Sequence, residues 1–355
     1  MTMLAETVDA VTGIDTHRDT HEVEIADAAG RPIATMQTGN DSAGFTRLLA
    51  AIAEVVPGPR VAACMEGSRS YGIGLARALA AAGLLVLECE QPSRRQRRGK
   101  GKSDLVGAHL AVLAALRLDA TRLPVPRADG DREALRILLV ARQEITEART
   151  AQIGRLRALL PGGDDSDRQA ARAALTQAAR AALAGRELRA RACREQAVRH
   201  AGIRGLALAL LQARHQLRDN RARLLAIVEN IAPGLTSRYG IGPVSAAQAI
   251  VSFSHPGRCR SESAFAALSG TSPLPASSGQ TIRHRLNRGG DRALNRAIHT
   301  IALVRMRSCP RTRAYVARRT AEGKTIREIR RCPKRYIARE LYRHLTQTMN
   351  PPVNP

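Results

Sequence analysis

Three carboxylates stand where predicted structural elements begin or end in the first third of the chain. Asp15 and Glu66 each close a short apolar run, and Asp104 opens a helical segment. Carboxylate oxygens are the ligands that Mg²⁺ prefers, and metal ions held in this way stabilise the attacking and leaving oxygens of phosphoryl transfer. Each acid alone has an ordinary explanation, as a turn residue, a solvent-facing group or an acid favoured by a helix dipole. Together they indicate a metal-dependent phosphoryl-transfer site.

The elements around these acids follow a definite order. Periodicity and turn residues predict three short strands, a helix, a strand, a helix, a strand and a helix, over 11–16, 21–26, 32–38, 41–55, 60–65, 70–82, 84–89 and 103–117. This is the order of a ribonuclease-H-like α/β domain, predicted over residues 8–122. In such a sheet the first and fourth strands end side by side, and the helix after the fifth strand passes the same edge. Asp15, Glu66 and Asp104 are therefore expected to converge.

The segment immediately before Asp104 is strongly basic. Its charged residues are Arg94, Arg95, Arg97, Arg98, Lys100 and Lys102. A run of this kind is usually a solvated loop. Because this one leads directly to the predicted metal site, we favour contact with phosphate groups or with RNA.

The charge balance of the chain points to a polyanionic partner. The 355 residues include 56 Lys and Arg against 31 Asp and Glu, which gives a formal charge of +25. Arginine forks bind phosphate oxygens in pairs, and neutralised phosphates release counterions, so nucleic acid is the favoured partner. An anionic membrane is the competing partner, but no basic amphipathic helix with bulky apolar anchors is visible. With no Trp, five Tyr and three Phe, recognition through stacked bases is not expected.

The cysteines and the apolar residues bear on the cellular compartment. Six cysteines are scattered without paired spacing, which argues against a zinc site or a disulfide framework and predicts a reducing cytoplasm. No basic region leads into an apolar run at the N-terminus, and no stretch of about 20 consecutive apolar residues is present. We therefore expect a cytoplasmic, nucleoid-associated protein that is neither secreted nor inserted into a membrane.

The middle of the chain, residues 130–232, is predicted to be helical. Pro161-Gly162-Gly163 interrupts an amphipathic pattern, and Leu210, Leu217, Leu224 and Ile231 then lie seven residues apart. Two long helices with a break between them predict an antiparallel hairpin or a coiled-coil arm. Packing within one chain and dimerisation are equally consistent with this pattern.

The last region, residues 233–347, is predicted to be a mainly helical domain. Gly240 and Gly242 precede a helix, as in helix-hairpin-helix segments whose backbone amides approach phosphate. On spacing alone, Ser278 is typical of a serine in a turn. No His or Asp that could activate it stands at motif spacing, and His284 is near only in sequence. Basic residues that follow it are candidates for nucleic-acid contact: Arg283, Arg285 and Arg288.

Four motifs resemble, in the same order, those of the DEDD transposases of insertion sequence family one-ten. They are Gly13-Ile14-Asp15-Thr16-His17, Glu66-Gly67-Ser68-Arg69-Ser70-Tyr71-Gly72, Gly101-Lys102-Ser103-Asp104, and Ser277-Ser278-Gly279 with Arg288-Gly289-Gly290-Asp291-Arg292-Ala293-Leu294. The resemblance covers nearly the whole chain. It implies a RuvC-like N-terminal domain, a coiled-coil middle and a C-terminal transposase domain.

The resemblance also implies functional roles. Asp15, Glu66 and Asp104 would hold Mg²⁺, and Ser278 would attack DNA to form a covalent protein–DNA intermediate. A non-coding bridge RNA would pair with target and donor DNA, which suits a basic chain that is poor in aromatic residues. Because the active site in this family is assembled between subunits, a dimer or a tetramer is implied.

The chain departs from the family pattern at two positions. The fourth acid is expected three residues after Asp104, where this chain has Gly107. His109 lies roughly 200° away around the helix and is a poor substitute. Pro333 falls inside an otherwise helical segment, where proline costs about 3 kcal/mol or kinks the helix. Both departures raise the hypothesis of an attenuated copy.

Two other functions stay open on the sequence. One is a ribonuclease-H-like nuclease or junction resolvase without covalent chemistry. The other is a non-catalytic basic protein that binds DNA or RNA.

Overall fold

The computed structural model describes residues 2–89, 104–187, 192–275, 284–285, 287 and 289–349. The chain divides into two compact units, one ending at Arg127 and the other beginning at Ala128. The further division of the second unit near residue 232 stays a prediction.

The first unit contains a five-stranded mixed sheet. Its strands are β1 (Ala10–Thr16), β2 (Thr20–Asp27), β3 (Pro32–Gly39), β4 (Val61–Met65) and β5 (Leu85–Glu88). The order is β3-β2-β1-β4-β5, with β1–β2 and β2–β3 antiparallel and β1–β4 and β4–β5 parallel. The strands lie close to their predicted positions, so this part of the sequence-based interpretation is confirmed.

Three helices cover the two faces of this sheet. They are α1 (Ser42–Val55), α2 (Ile73–Ala81) and α3 (Asp104–Leu116). Asp41 caps α1 by accepting a hydrogen bond from the Gly44 amide at 2.7 Å, as its position before an apolar run predicts. Ile14, Val23 and Met65 pack with residues of α1 and α2 on one face, whereas Val11, Ala62 and Leu87 pack with α3 on the other.

Gly13 allows α3 to pack directly on β1. A Cβ atom at this position would lie within 2.7 Å of Val112 Cγ2 and closer still to the Ala108 carbonyl oxygen. Any side chain would therefore push α3 away from the sheet. Asp15 lies two residues further along β1 and so shares the face on which α3 packs.

Cys64 and Cys89 form a disulfide, with Cα atoms 6.0 Å apart. Cys64 lies in β4, and Cys89 follows β5 and donates its backbone N–H to the Met65 carbonyl at 3.0 Å. The expectation that the scattered cysteines form no disulfide is wrong for this pair. The two strands are neighbours in space although the cysteines are 25 residues apart in sequence, and sequence spacing does not reveal that proximity.

The second unit begins with an antiparallel pair of long helices, α4 (Asp131–Leu159) and α7 (Arg194–Ile231). Two short helices lie between them in sequence, α5 (Asp165–Arg172) and α6 (Gln177–Ala184). Leu135 packs with Val228 at one end of the pair, and Leu156 packs with Ile203 at the other. The predicted antiparallel hairpin is thus confirmed, and its seam is packed within one chain.

The rest of the second unit is mainly helical. Its elements are α8 (Pro243–Phe253), α9 (Glu262–Leu268), β6 (Leu274–Pro275), β7 (His284–Arg285), α10 (Arg292–Ser308), α11 (Pro310–Ala321) and α12 (Ile326–Met349). Phe253, Phe265 and Leu341 are buried in its core. Helix α12 continues through Pro333, although proline has no N–H to donate within the helix. In the described part of the chain, none of the helices combines the length and apolar character needed to span a bilayer.

Candidate active site

Asp15 and Glu66 are neighbours at the end of the parallel strand pair. Ile14 and Met65 are partners in the β1–β4 register, so the next residues along the two strands are Asp15 and Glu66. The Glu66 amide donates to the Ile14 carbonyl at 3.4 Å, and Thr16 Oγ1 donates to the Glu66 carbonyl at 2.7 Å. The strand pairing and this hydroxyl therefore fix the two acidic residues side by side.

Helix α3 passes directly beside Asp15. A Cβ atom at Gly107 would lie 2.8 Å from Asp15 Cγ and closer still to Oδ2. The Asp15 carboxylate thus fills the space that a side chain at position 107 would need. The Asp15 side chain is 23% exposed, and Oδ2 lies 3.9 Å from His17 Nε2. Position 107, where the family pattern expects a fourth acid, is therefore in contact with the first acid.

The third predicted acid, Asp104, is the first residue of α3. It precedes Gly107 by three residues, which places the two positions on the same face of the helix. Its side chain lies outside the described residues. The structure brings together Asp15, Glu66 and the helix that carries Asp104, and the convergence of all three carboxylates stays a prediction.

Several other predicted site residues also lie outside the described part of the chain. They are Arg94, Arg95, Arg97, Arg98, Lys100, Lys102, Ser278, Arg283 and Arg288, together with the side chain of Arg285. Their predicted contacts with nucleic acid, and the nucleophilic role of Ser278, stay predictions.

A second carboxylate on the α3 face was not identified from the sequence. Glu24 of β2 pairs in register with Gly13, and its side chain is only 5% exposed. Its Oε1 atom lies 2.7 Å from Nδ1 of His109 on α3. The alternation of acidic Glu22 and Glu24 with apolar Val23 and Ile25 could have indicated an acid on this face. His109 contacts Glu24, consistent with the expectation that it does not replace the fourth acid.

The oxygen atoms that the candidate site offers are of the kind that binds a hard divalent cation. Asp15 and Glu66 offer carboxylate oxygens at neighbouring strand ends, and α3 carries Asp104 on the same side of the sheet. Within the side chains that the structure describes, no group of three His, Cys, Asp or Glu residues lies close enough to hold a metal ion. A metal site of three carboxylates at this edge would need Asp104 as its third ligand.

In the second unit, Gly240 and Gly242 line a cavity of about 590 Å³ with Arg221 and Arg238. Gly240 has φ of 76°, in the region that favours glycine, and Gly242 is the N-cap of α8. The amides at a helix start and the Arg221 guanidinium are suited to binding a phosphate, whereas Arg238 is paired with Glu340.

Both ends of the segment that contains Ser278 are held by polar contacts. Asp291 caps α10 by accepting from the Ala293 and Leu294 amides at 2.9 and 3.0 Å, and it also accepts from Ser252 Oγ at 2.6 Å. Asn295 Nδ2 donates to the Ser269 carbonyl at 2.6 Å.

Lys334 of α12 adds a cation beside Asn295. Its Nζ atom donates to Asn295 Oδ1 at 2.9 Å. Burial, followed by the charge of Arg330, lowers the pKa of Lys334. The sequence carried no signal for this residue, because α12 and α10 are distant along the chain.

Comparisons with known proteins cover both units. Residues 12–163 match the family model of DEDD transposases named for IS110, described as "Transposase", and residues 232–317 match the model described as "Transposase IS116/IS110/IS902 family". This chain belongs to the IS110 transposase family. The first match includes Asp15, Glu66 and Asp104, and the second includes Ser278.

A curated relative of this IS110-family chain comes from Streptomyces coelicolor. It is described as "Insertion element IS110 uncharacterized 43.6 kDa protein" and is 32% identical over 126 residues. The aligned segment is 35% of this chain and 31% of the relative, so the match spans about a third of the relative's length.

Proposed function

We propose that this chain is a transposase that cuts and joins DNA at the site formed by Asp15, Glu66 and Asp104. The observation that carries the proposal is the side-by-side position of Asp15 and Glu66 at one sheet edge, in a chain of formal charge +25 that belongs to a transposase family. The strand order of the first unit supports a ribonuclease-H-like domain. That architecture supports phosphoryl-transfer chemistry at this edge.

Asp15, Glu66 and Asp104 would hold Mg²⁺ in this transposase. A bound Mg²⁺ ion neutralises phosphate charge and stabilises the oxygens of the bonds that form and break. Thr16 keeps the Glu66 backbone against β1, and the absence of a side chain at Gly107 leaves room for the Asp15 carboxylate. These contacts hold the acids in place before DNA binds, which lowers the cost of ordering the site.

The remaining chemistry rests on the resemblance to the family. Ser278 Oγ would attack a DNA phosphorus atom, form a phosphoester and displace a DNA hydroxyl group. A bridge RNA would select the DNA sequences, and a dimer or tetramer would assemble the complete site. The basic residues before Asp104 and around Ser278 would bind nucleic-acid phosphates. The protein would act in the cytoplasm on nucleoid DNA.

The test of this function compares the full chain with Asp15→Asn and Glu66→Gln. The chain is supplied with the DNA that flanks its gene and with the transcript of the adjoining non-coding stretch. We expect Mg²⁺-dependent strand cleavage that each substitution reduces by at least 100-fold, because each removes an anionic ligand. Asp19→Asn is the control, since Asp19 is 76% exposed and pairs with Arg18. Unchanged cleavage in Asp15→Asn would contradict the proposed site.

Covalent trapping tests Ser278. A nicked DNA substrate, from which the cleaved strand dissociates, should accumulate a protein–DNA adduct that is absent in Ser278→Ala. No adduct beside active cleavage would support a nuclease or junction resolvase. An adduct that persists in Ser278→Ala would exclude this serine as the nucleophile.

One observation favours a second function, that of a non-catalytic nucleic-acid-binding protein. The position of the fourth acid is Gly107, and Asp15 occupies the adjoining space. If loss of this acid ended catalysis, the unchanged chain would bind DNA without cleaving it, and Gly107→Asp would restore cleavage. Equal, robust excision by the chain and by Gly107→Asp would exclude this function.

A further inference from the structure

A large cavity lies among the last three helices of the second unit. Its volume is about 1020 Å³, and residues of α10, α11 and α12 line it together with the turn before α8. Three tyrosines contribute to its wall, Tyr239, Tyr315 and Tyr336. The whole chain contains five tyrosines, so most of them gather at one place.

Two of these tyrosines present open ring surface. Tyr239 is 49% exposed and Tyr336 is 60% exposed. By contrast, Tyr342 packs against Phe253 and Phe265 in the core. Exposed rings beside a cavity are suited to stacking against a planar ligand.

Arginines hold two of the rings in place. The Arg339 guanidinium lies 5.6 Å from the centre of the Tyr336 ring, and the Arg318 guanidinium lies 5.7 Å from that of Tyr315. Arg339 is itself anchored, because its Nε donates to Glu262 Oε1 at 2.7 Å. Tyr336 is therefore ordered before any ligand arrives, and less entropy is lost on stacking.

The cavity is also strongly basic. Arg238, Arg305, Arg311 and Arg318 line it against one carboxylate, Glu340. Arg305 Nη1 donates to Glu340 Oε2 at 2.7 Å, and Arg238 Nη1 donates to Oε1 at 3.3 Å.

Glu340 is ionised and holds these two arginines. Burial raises the pKa of Glu340, but the hydrogen bonds and charges of Arg305 and Arg238 outweigh that effect and hold the pKa below its ordinary value. Among the ion pairs of the described residues, none includes Arg311 or Arg318. Neither guanidinium group therefore has a carboxylate partner among the described residues, and Arg318 contacts the Tyr315 ring.

We propose that this cavity binds unpaired nucleotides, with bases stacked on Tyr336 and Tyr239 and phosphates held by Arg311 and Arg318. A duplex hides the faces of its bases, whereas an unpaired strand offers both face and phosphate. The inference rests on the proposed function only in taking nucleic acid as the partner. It runs against the expectation from composition that recognition does not use stacked bases, because the few tyrosines are concentrated rather than spread.

The absence of tryptophan in this chain allows a local test. Tyr336→Trp places a single tryptophan in the cavity, which can be excited selectively over the tyrosines, and Val198→Trp places one on α7 at a residue that is 68% exposed. The probes are a single-stranded oligothymidylate, an abasic strand of equal length, a matching uridine RNA and a DNA duplex. We expect both thymidine and uridine strands to quench the fluorescence of Tyr336→Trp, with little quenching by the abasic strand or the duplex. Val198→Trp should show no such difference among the probes.

Substitutions test the two contact types separately. Tyr336→Leu should weaken oligothymidylate binding by at least about fivefold, and Tyr336→Phe should retain it, because phenylalanine keeps the ring. Arg311→Gln with Arg318→Gln should weaken binding of the oligothymidylate and of the abasic strand alike. Arg313→Gln is the control, since Arg313 is exposed on the same helix and does not line the cavity.

Equal quenching by the abasic strand or by the duplex would overturn the stacking site, as would unchanged affinity in Tyr336→Leu. Quenching by the thymidine strand alone or the uridine strand alone would assign the site to DNA or to RNA. The fluorescence test needs no cleavage, so it is repeated with Asp15→Asn in the same chain. Base-dependent quenching should persist in Asp15→Asn. If it is also seen with a chain that keeps Asp15 and still cleaves no DNA, the proposed function is contradicted and the nucleotide site stands.

Discussion

At the scale of single residues, the contact between Asp15 and Gly107 determines what the candidate active site can hold. The carboxylate of one residue fills the space beside the Cα atom of the other. The Asp15 carboxylate therefore occupies the space that the missing side chain at position 107 leaves. A fourth acid at this position would require the Asp15 side chain to move.

Gly107→Ala should lower the free energy of unfolding of the first unit. The new methyl group would overlap the Asp15 carboxylate, which costs about 1–3 kcal/mol, and the helical preference of alanine offsets about 1 kcal/mol of this. Gly205→Ala on α7 is the control, because no atom lies within 4 Å of its Cβ position and a gain of up to about 1 kcal/mol is expected. Denaturant unfolding measures both.

The decrease in the free energy of unfolding caused by Gly107→Ala should be smaller when the substitution is made in an Asp15→Ala background. Removing the carboxylate makes room for the added methyl group, so the two substitutions are coupled. If Gly107→Ala stabilises the chain as Gly205→Ala does, the close contact with Asp15 is wrong.

At the scale of elements, α7 packs against α4 and also against α6 and α8, and leaves its remaining face in solvent. Leu210 is fully buried in the seam, whereas Leu208 on the same helix is 48% exposed. Asn220 is buried too, and its Nδ2 donates to the Leu138 carbonyl at 2.8 Å. The heptad pattern correctly located the helix, and burial identifies which of its positions face the partner helix.

Leu210→Ala should destabilise the second unit by about 2–5 kcal/mol, because it leaves a cavity in the seam. Leu208→Ala is the matched control and should stay within about 0.5 kcal/mol of the unchanged chain. Thermal and denaturant unfolding at two protein concentrations measure the effect. A large, concentration-dependent loss in Leu208→Ala would show that the exposed side of α7 packs against a second copy.

The disulfide between β4 and β5 should stabilise the first unit. Closing a loop of 25 residues restricts the unfolded chain, and the expected contribution is about 3 kcal/mol. Adding a reductant should therefore lower the unfolding midpoint of the unchanged chain and have no effect on Cys64→Ala with Cys89→Ala. The control is Cys193→Ala, since Cys193 is an exposed free thiol. A midpoint insensitive to reductant would mean that the disulfide does not form.

At the scale of the whole molecule, charge and burial together set the response to pH. The chain carries a formal charge of +25, and its second unit encloses His344 beside Arg238, whose Nε donates to His344 Nδ1 at 3.3 Å, and near Glu340. Burial, followed by the charge of Arg238, lowers the pKa of His344 from its ordinary value of 6.5. The folded chain therefore keeps this imidazole neutral where the unfolded chain would protonate it.

The second unit should lose stability as the pH falls below about 6.5. In that range the unfolded chain binds more protons than the folded chain, and each proton of difference gives a slope of about 1.4 kcal/mol per pH unit. His344→Gln removes the titrating group and should reduce the slope measured by denaturant unfolding between pH 7 and pH 5. His215→Gln, at an exposed position on α7, is the control. An unchanged slope in His344→Gln would contradict this assignment.

The sequence by itself determined the order of strands and helices, the antiparallel hairpin and the candidate acids Asp15 and Glu66. These features depend on periodicity, caps and turns, which are local properties of neighbouring residues. The sequence also indicated a basic chain that binds nucleic acid, because net charge depends on composition and not on the fold.

Only the tertiary structure decided which distant residues meet. The Cys64–Cys89 disulfide, the contact of His109 with Glu24 and the tyrosines gathered around one basic cavity each join elements that are far apart along the chain. Such contacts follow from how helices and strands pack against one another, and residue spacing carries little information about that packing. The same reason explains why Gly107 looked like a missing acid in the sequence and is a filled space in the fold.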